Sequence, residues 1–199
     1  MRPRHRLAGR PTARPLALPP SADVAQLHDL FDVVLVINLA RRPDRWQRAC
    51  QILAEHGSLG PRRIEAVDGQ QLPAGKLWSG GAVGCLRSHA LCHEIVLTEQ
   101  PHSALVLEDD FAAPDDLGRR LGALRAAAPE WDLLVLGQLW GWGAFAYATT
   151  PRASRIMLPL LQQESRPADE ILLYEMPALV RARSCDLFGH ARVGASDIS

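Results

Sequence analysis

The stretch Ala104-Leu-Val-Leu-Glu-Asp-Asp110 decides how the rest of the chain is read: four apolar residues, then three adjacent carboxylates. A short apolar run of this kind is the pattern of an inner strand in a parallel sheet covered on both faces. Ligands of such sheets bind outside the carboxyl ends of the strands. Side chains alternate with a period of two, so Glu108 and Asp110 are expected to project together and Asp109 to point away. Carboxylates so placed suit a hard divalent cation, Mn²⁺ or Mg²⁺, which takes one or two protein carboxylates and completes its shell with water and phosphate oxygens. A solvated loop or a helix cap is the competing reading of an acidic triplet, and Asp115 and Asp116 do read as caps.

Working outward, Val33 to Ile37 is a second fully apolar run, closed by Asn38, and is the expected first strand. Pro43 opens a helix, with Trp46, Cys50 and Leu53 as its inward stripe. Arg62 to Val67 reads as a short strand before a turn at Asp68-Gly69. Gly80-Gly81 precedes a helix from about Ala82 to Thr98. After the central strand come a helix near Asp116 to Ala127, a strand Leu133 to Leu136, a strand Phe145 to Thr149 and a helix from Pro151. Alternating strands and helices indicate α/β with a mainly parallel central sheet.

The chain has 199 residues, enough for one domain with a substantial core. Residues 1–25 carry five arginines, five prolines and few large apolar groups, and are expected to be a disordered leader ahead of a single domain over 26–199. Twenty-two basic and twenty-two acidic residues balance, so no overall field favours nucleic acid. No apolar run reaches the roughly 20 residues of a membrane span. Cys50, Cys85, Cys92 and Cys185 form no CxxC pair and are expected to be reduced thiols of a cytoplasmic protein.

Several constellations carry two readings each. Asn38 with Arg41, Arg42 and Arg45 lies where nucleotides sit in such sheets, and arginine's planar fork matches phosphate; a solvated basic turn has the same composition. Asp68-Gly69 is a ribose-binding candidate and also an ordinary turn dipeptide. Cys85, His89 and His93 share one helix face, but eight residues rise about 12 Å. Ligands of one zinc ion lie about 2.0–2.3 Å from it, so Cys85 and His93 cannot share an ion. Two of them with a distant third ligand remain an option, as do phosphate or sugar contacts from Ser88-His89. Gly141 to Ala146 matches GxGxxA without the helix that motif requires. Trp140, Trp142, Phe145 and Tyr147 are either a sugar-stacking cluster or core.

Taken in order, Val36-Ile-Asn-Leu-Ala-Arg-Arg-Pro-Asp-Arg45, Glu65-Ala-Val-Asp-Gly69, Gly81-Ala-Val-Gly-Cys-Leu-Arg-Ser-His89 and Leu105-Val-Leu-Glu-Asp-Asp110 resemble glycosyltransferase family 25, the lipooligosaccharide and collagen galactosyltransferase-like family. Weaker echoes follow in Trp131 to Leu136, Phe145 to Tyr147, Pro167 to Asp169 and Ser196 to Ile198. The resemblance implies a GT-A type, Rossmann-like nucleotide-sugar-binding fold. It implies a metal-dependent, inverting enzyme that moves a hexose, galactose from UDP-galactose, onto a cell-surface glycan such as lipopolysaccharide or lipooligosaccharide.

By the same resemblance, Glu108, Asp109 and Asp110 would hold Mn²⁺ or Mg²⁺ against the donor diphosphate. Asn38, Arg42 and Arg45 would line the nucleotide side, Asp68 and Gly69 the ribose side, and Ser88 and His89 the donor phosphates or sugar. Asp169, with Asp132 second, would be the base that deprotonates the acceptor hydroxyl. The implied partners are a nucleotide-sugar donor and a glycan or glycolipid acceptor, with peripheral contact at the inner membrane if the acceptor is lipid-linked. Two other functions compete: a non-catalytic relative that binds nucleotide sugar or glycan, and a metal-dependent phosphatase. Phosphatases of the haloacid dehalogenase type want Asp-x-Asp-x-Thr/Val, and Glu108 and Ala112 depart from that pattern.

Overall fold

The computed structural model describes residues 12–72, 79–139 and 142–191. Its frame is a seven-stranded sheet in the order β1-β8-β6-β7-β4-β2-β3. The strands are β1 (Arg14–Pro15), β2 (Val33–Asn38), β3 (Arg62–Glu65), β4 (Ala104–Glu108), β6 (Leu133–Leu139), β7 (Trp142–Thr149) and β8 (Ala182–Ser184). Only β7 runs against its neighbours, pairing antiparallel with β4 and β6, while the remaining pairs are parallel. A small ribbon of β5 (Phe111–Ala112) and β9 (Gly189–His190) sits apart. The sheet is therefore mainly parallel, as the alternation of elements suggested.

Alternation along the central strands builds two cores. Leu35 and Ile37 of β2 and Ala104 and Val106 of β4 pack with α2 (Gly80–Glu99), α4 (Pro151–Gln162) and a helical stretch over residues 168–179. Val34, Val36, Leu105 and Leu107 pack on the other face with α1 (Pro43–Glu55) and α3 (Leu117–Ala127). Burial of both faces is why these strands read as continuous apolar runs rather than alternating ones. The stretch over 168–179 has a π turn at Ile171–Glu175 at its centre. Pro43 occupies the first turn of α1, where its missing N–H is not needed.

Two expectations change. Residues 12–25, placed in a disordered leader, lie along the domain. Arg14 and Pro15 pair with Arg183 and Ser184, the Leu16 N–H donates to the Ser184 carbonyl at 2.8 Å, and Ala25 is buried. Their ordering is offset by backbone bonds to an otherwise open sheet edge, a contribution composition alone does not reveal. The inward stripe of α1 keeps Leu53 as expected but is otherwise displaced by one residue: Arg45 and Ala49 are buried, with Trp46 and Cys50 only partly covered. A guanidinium is thereby carried to the carboxyl end of the sheet. The terminal echo Ser196 to Ile198 and Trp140 fall outside the described residues.

Candidate active site

The carboxyl ends of β2 and β4 open into a cleft, the place where ligands of such sheets bind. Its wall comprises Ile37, Leu39, Arg45, the segment Ala66–Gly69, Gly81, Cys85, Ser88, His89 and the triplet Glu108, Asp109 and Asp110. All four motifs read in order from the sequence contribute to it, the first through Ile37, Leu39 and Arg45.

Backbone approach shapes one side. A Cβ on Gly84 of α2 would run into the Val67 carbonyl, and one on Gly69 would run into the Gly80–Gly81 backbone. Glycine at these positions lets the start of α2 press against the loop after β3. Ser88 locks that contact, donating to the Gly84 carbonyl at 2.7 Å and accepting from the Val67 N–H at 2.9 Å. Asp68 starts the 3-10 turn Gly69–Gln71, accepting from the Gln70 N–H at 3.0 Å, and is held by Arg41, also at 3.0 Å.

The three carboxylates have different surroundings. Glu108 ends β4 on the α2 side, its Oε1 3.3 Å from His89 Nε2. Asp109 points the other way, as alternation required, and receives Asn38 Nδ2 and, at 3.2 Å, Arg45 NH1. Asp110 departs from the alternation because β4 has ended and the chain turns. Its Oδ2 lies 3.2 Å from His190 Nε2 and 3.9 Å from Arg45 NH1. Its Oδ1 is buried with no hydrogen-bond partner among the described residues. Burial, then the nearby Glu108 charge, pushes the Asp110 carboxyl up to about 6, with His190 opposing. Burial also raises Asp109, against Asn38 and Arg45.

An orphaned buried carboxylate oxygen, raised by its own neighbours, is the chemical environment that a hard divalent cation relieves. The oxygen donors of Asp110 and Glu108 thus fit Mn²⁺ or Mg²⁺. Asp109 has both oxygens engaged by protein groups and acts as the brace of the loop.

The other expected residues divide. Arg45, Asp68, Gly69, Ser88 and His89 do line the cleft. Asn38 is 1% exposed and is consumed by the framework: it donates to Asp109 and to the Arg42 carbonyl and accepts from Arg63 Nε at 2.8 Å. Arg42 is not in the cleft wall and pairs through Nε and NH2 with Asp44, at 3.0 and 2.8 Å, holding that carboxyl down to about 2. Asp169 is half-buried beside β7, where its Oδ2 accepts from the Gly143 N–H at 3.2 Å, and its charge raises the Cys85 thiol.

Asp132 is corrected. It precedes β6, whose first residue Leu133 pairs with Thr149, which in turn pairs with Ala104 at the start of β4. Four residues of strand, about 13 Å, separate that end of the sheet from Glu108. Burial opposes ionisation of Asp132, but bonds from Arg181 hold its carboxyl below the usual range. It ties β6 to the segment before β8 and takes no part in the cleft.

One group has no signal in the sequence, and two that do have one take their places from the fold. His190 reaches Asp110 from β9, which is remote in sequence but pairs with β5 directly after Asp110, a contact that no local pattern announces. Cys85 lines the cleft, its thiol pushed well up by burial and the charges of Glu108, Asp169 and Asp110. Tyr147, fully buried on β7, has its hydroxyl 3.0 Å from His89 Nδ1 and 3.2 Å from His93 Nε2. It belongs to the core with a polar tip, which settles half of the aromatic-cluster question; Phe145 is buried in the opposite core.

A mainly parallel α/β sheet with a carboxylate-lined cleft at its strand ends is a Rossmann-like, ligand-binding architecture. A solved glycosyltransferase involved in glycosylation of the major capsid of PBCV-1 superposes with a TM-score of 0.54 over 83% of this chain and 94% of its own, at 12% identity, a likeness of fold. Residues 31–157 match the family described as glycosyltransferase family 25 (LPS biosynthesis protein), and the chain belongs to that family. The bovine "probable inactive glycosyltransferase 25 family member 3" is 34% identical over an alignment covering 54% of this chain and 22% of its own length. The zebrafish (Danio rerio) procollagen galactosyltransferase 1 is 30% identical, again over 54% of this chain and 22% of its own. The chain thus matches about a fifth of the length of these curated relatives.

Proposed function

We propose that this protein is a metal-dependent hexosyltransferase that moves galactose from UDP-galactose onto a cell-surface glycan acceptor of the lipopolysaccharide or lipooligosaccharide type, with inversion. The observation that carries the reading is the buried Asp110 Oδ1, without a hydrogen-bond partner among the described residues, in a cleft also lined by Asp68 and Gly69. Family membership and the procollagen galactosyltransferases among the relatives support the sugar-transfer chemistry.

In this reading Asp110 and Glu108 hold Mn²⁺ or Mg²⁺, which when bound supplies a Lewis acid that neutralises charge on the departing nucleoside diphosphate. Arg45, braced by Asp109, lies beside Asp110 and places a fixed positive charge at the diphosphate end of the cleft. Asp68 accepts from the ribose hydroxyls. Asp169, near the α2 wall, takes the proton of the acceptor hydroxyl as it attacks the anomeric carbon. A lipid-linked acceptor would bring the protein to a membrane surface peripherally; no helix among the described residues is long and apolar enough to cross one. Incubation with UDP-galactose and Mn²⁺ is expected to give transfer or slow donor hydrolysis, lost in Asp110→Ala. Neither binding nor turnover with any nucleotide sugar would reject the proposal.

A second reading, a nucleotide-sugar-binding relative without catalysis, is favoured by the names of the mammalian relatives, which are called inactive. Tight UDP binding with no turnover across a broad acceptor panel would select it.

A further inference from the structure

Three side chains that the proposed transferase chemistry does not use together converge on the α2 side of the cleft. Cys85 and His89 stand four residues apart on α2, and Glu108 reaches them from the end of β4. One ligand atom from each, sulfur, nitrogen and oxygen, lies within 4.8 Å of the others. We propose that Cys85, His89 and Glu108 form a three-ligand site for a thiophilic divalent cation of the Zn²⁺ or Co²⁺ class, with its remaining position open to the cleft. The helix-only zinc set fails because His93 is a turn too far; the strand end supplies the third ligand instead.

The chemistry of the donors selects the ion. Thiolate and imidazole favour Zn²⁺ and Co²⁺ over the hard cations that all-oxygen sites take, and three protein ligands with one open position are the pattern of catalytic zinc. Bonds of about 2.0–2.3 Å in a tetrahedron require ligand separations of roughly 3.3–3.8 Å. His89 Nε2 and Glu108 Oε1 already stand 3.3 Å apart. The Cys85 sulfur closes the set by a movement of under about 1.5 Å, within the reach of one side-chain rotation. Loading replaces the thiol S–H bond by a sulfur–metal bond and releases that proton to solvent.

A second observation concerns how His89 is held at this spot. Behind His89 runs a buried chain of polar groups: Nδ1 to Tyr147 at 3.0 Å, Tyr147 to His93 Nε2 at 3.2 Å, His93 Nδ1 to Ser154 at 2.9 Å, and Ser154 to Thr149 at 3.2 Å. It ends with the Thr149 hydroxyl donating to the Thr150 carbonyl, 3.3 Å away. A carbonyl only accepts, so donation runs toward it along the whole chain: His89 Nδ1–H to Tyr147, Tyr147 O–H to His93, His93 Nδ1–H to Ser154, and Ser154 O–H to Thr149. That polarity commits His89 Nδ1–H to Tyr147 and turns Nε2 toward the Glu108 carboxylate, the nitrogen through which the ring would ligate an ion. A hydroxyl on the far nitrogen is also what orients a metal-binding histidine.

The assignment does not rest on the donor reading, and Glu108 is the only residue shared with the carboxylates proposed there for Mn²⁺. Titration of the metal-free full chain with Co²⁺ alone, followed by absorption, tests it. The expected result is one equivalent bound with a thiolate-to-cobalt charge-transfer band, bleached by stoichiometric Zn²⁺. Cys85→Ser abolishes the band, Glu108→Gln weakens Co²⁺ binding at least tenfold, and Tyr147→Phe weakens it about 10–100-fold, as loss of an orienting partner does. Mn²⁺ binding, read by paramagnetic relaxation of water, is retained in Cys85→Ser and lost in Asp110→Asn. Absence of the band, or its persistence in Cys85→Ser, overturns the site. Either result leaves the transferase proposal standing, since no donor is present.

Discussion

Asn38 donates to Asp109, joining the carboxyl ends of β2 and β4 directly beneath the cleft. Each is at least nine-tenths buried, and Arg45 completes the group at 3.2 Å from the second Asp109 oxygen. The pair fixes the turn from which Asp110 projects. Asn38→Ala is therefore expected to lower unfolding free energy by about 1–3 kcal/mol, the penalty of a buried carboxylate left with fewer partners. Urea denaturation measures it, and an unchanged midpoint would show that the brace does not bear on stability.

Asp110 is expected to behave in the opposite way. Its folded-state carboxyl, at about 6, is raised above the usual 3.8. A raised carboxylate adds stability fully below pH 3.8 and loses it as pH rises through 6, so at pH 7.5 the ionised group is a burden. In metal-free buffer Asp110→Asn should stabilise the fold by about 1–3 kcal/mol at pH 7.5, and the difference should vanish by pH 4. Thermal unfolding at the two pH values tests this. The same substitution is expected to remove Mn²⁺ binding, so stability and cation affinity move in opposite directions.

His93 supplies a second pH signature. Complete burial, reinforced by His89, lowers its ring to about 3 from 6.5, so it stays neutral in the fold while the unfolded chain takes a proton. Its contribution is present above pH 6.5 and is lost as pH falls toward 3. One such proton changes stability by ~1.4 kcal/mol per pH unit in that window. His93→Gln should remove this component from the pH dependence of the urea midpoint between pH 6.5 and 5; an unaltered slope would contradict it.

Gly84→Ala tests the close approach of α2. Its Cβ would meet the Val67 carbonyl, backbone that cannot rotate aside. The expected loss is about 1–3 kcal/mol, as for other overpacked positions. Because Gly69 and Ser88 share the contact, donor affinity should fall as well. Ala82→Gly, in the first turn of the same helix, is a control expected to cost about 1 kcal/mol or less.

Much of this architecture was legible because the strands are buried on both faces and their apolar runs admit few alternatives. Val33 to Ile37 and Ala104 to Leu107 mark inner strands, and the carboxylates closing the second mark the binding end. The cleft-lining glycines and Ser88-His89 were legible as a motif, though not in role: Ser88 is a tie between α2 and the β3 loop. What could not be read locally depends on chain reversal and distant pairing. The antiparallel sense of β7 follows from its partners. Asp132 was a candidate base through the family resemblance, but its position at the amino end of β6 is a property of the sheet. His190 reaches Asp110 only because β9 folds back on β5. Arg45 was expected near phosphate, yet its burial follows from a one-residue rotation of α1 that the hydrophobic pattern did not specify.

The central claim, that the carboxylate cleft binds a nucleotide sugar through a cation held by Asp110, is tested most directly by calorimetric titration of UDP-galactose with and without Mn²⁺. The wild-type chain is expected to bind the donor one-to-one only when Mn²⁺ is present, with a thermal stabilisation of about 2.7 kcal/mol at a hundredfold excess over Kd. Asp110→Asn should abolish binding without loss of fold. Donor binding that is equally tight without metal, or that survives Asp110→Asn, would contradict the account.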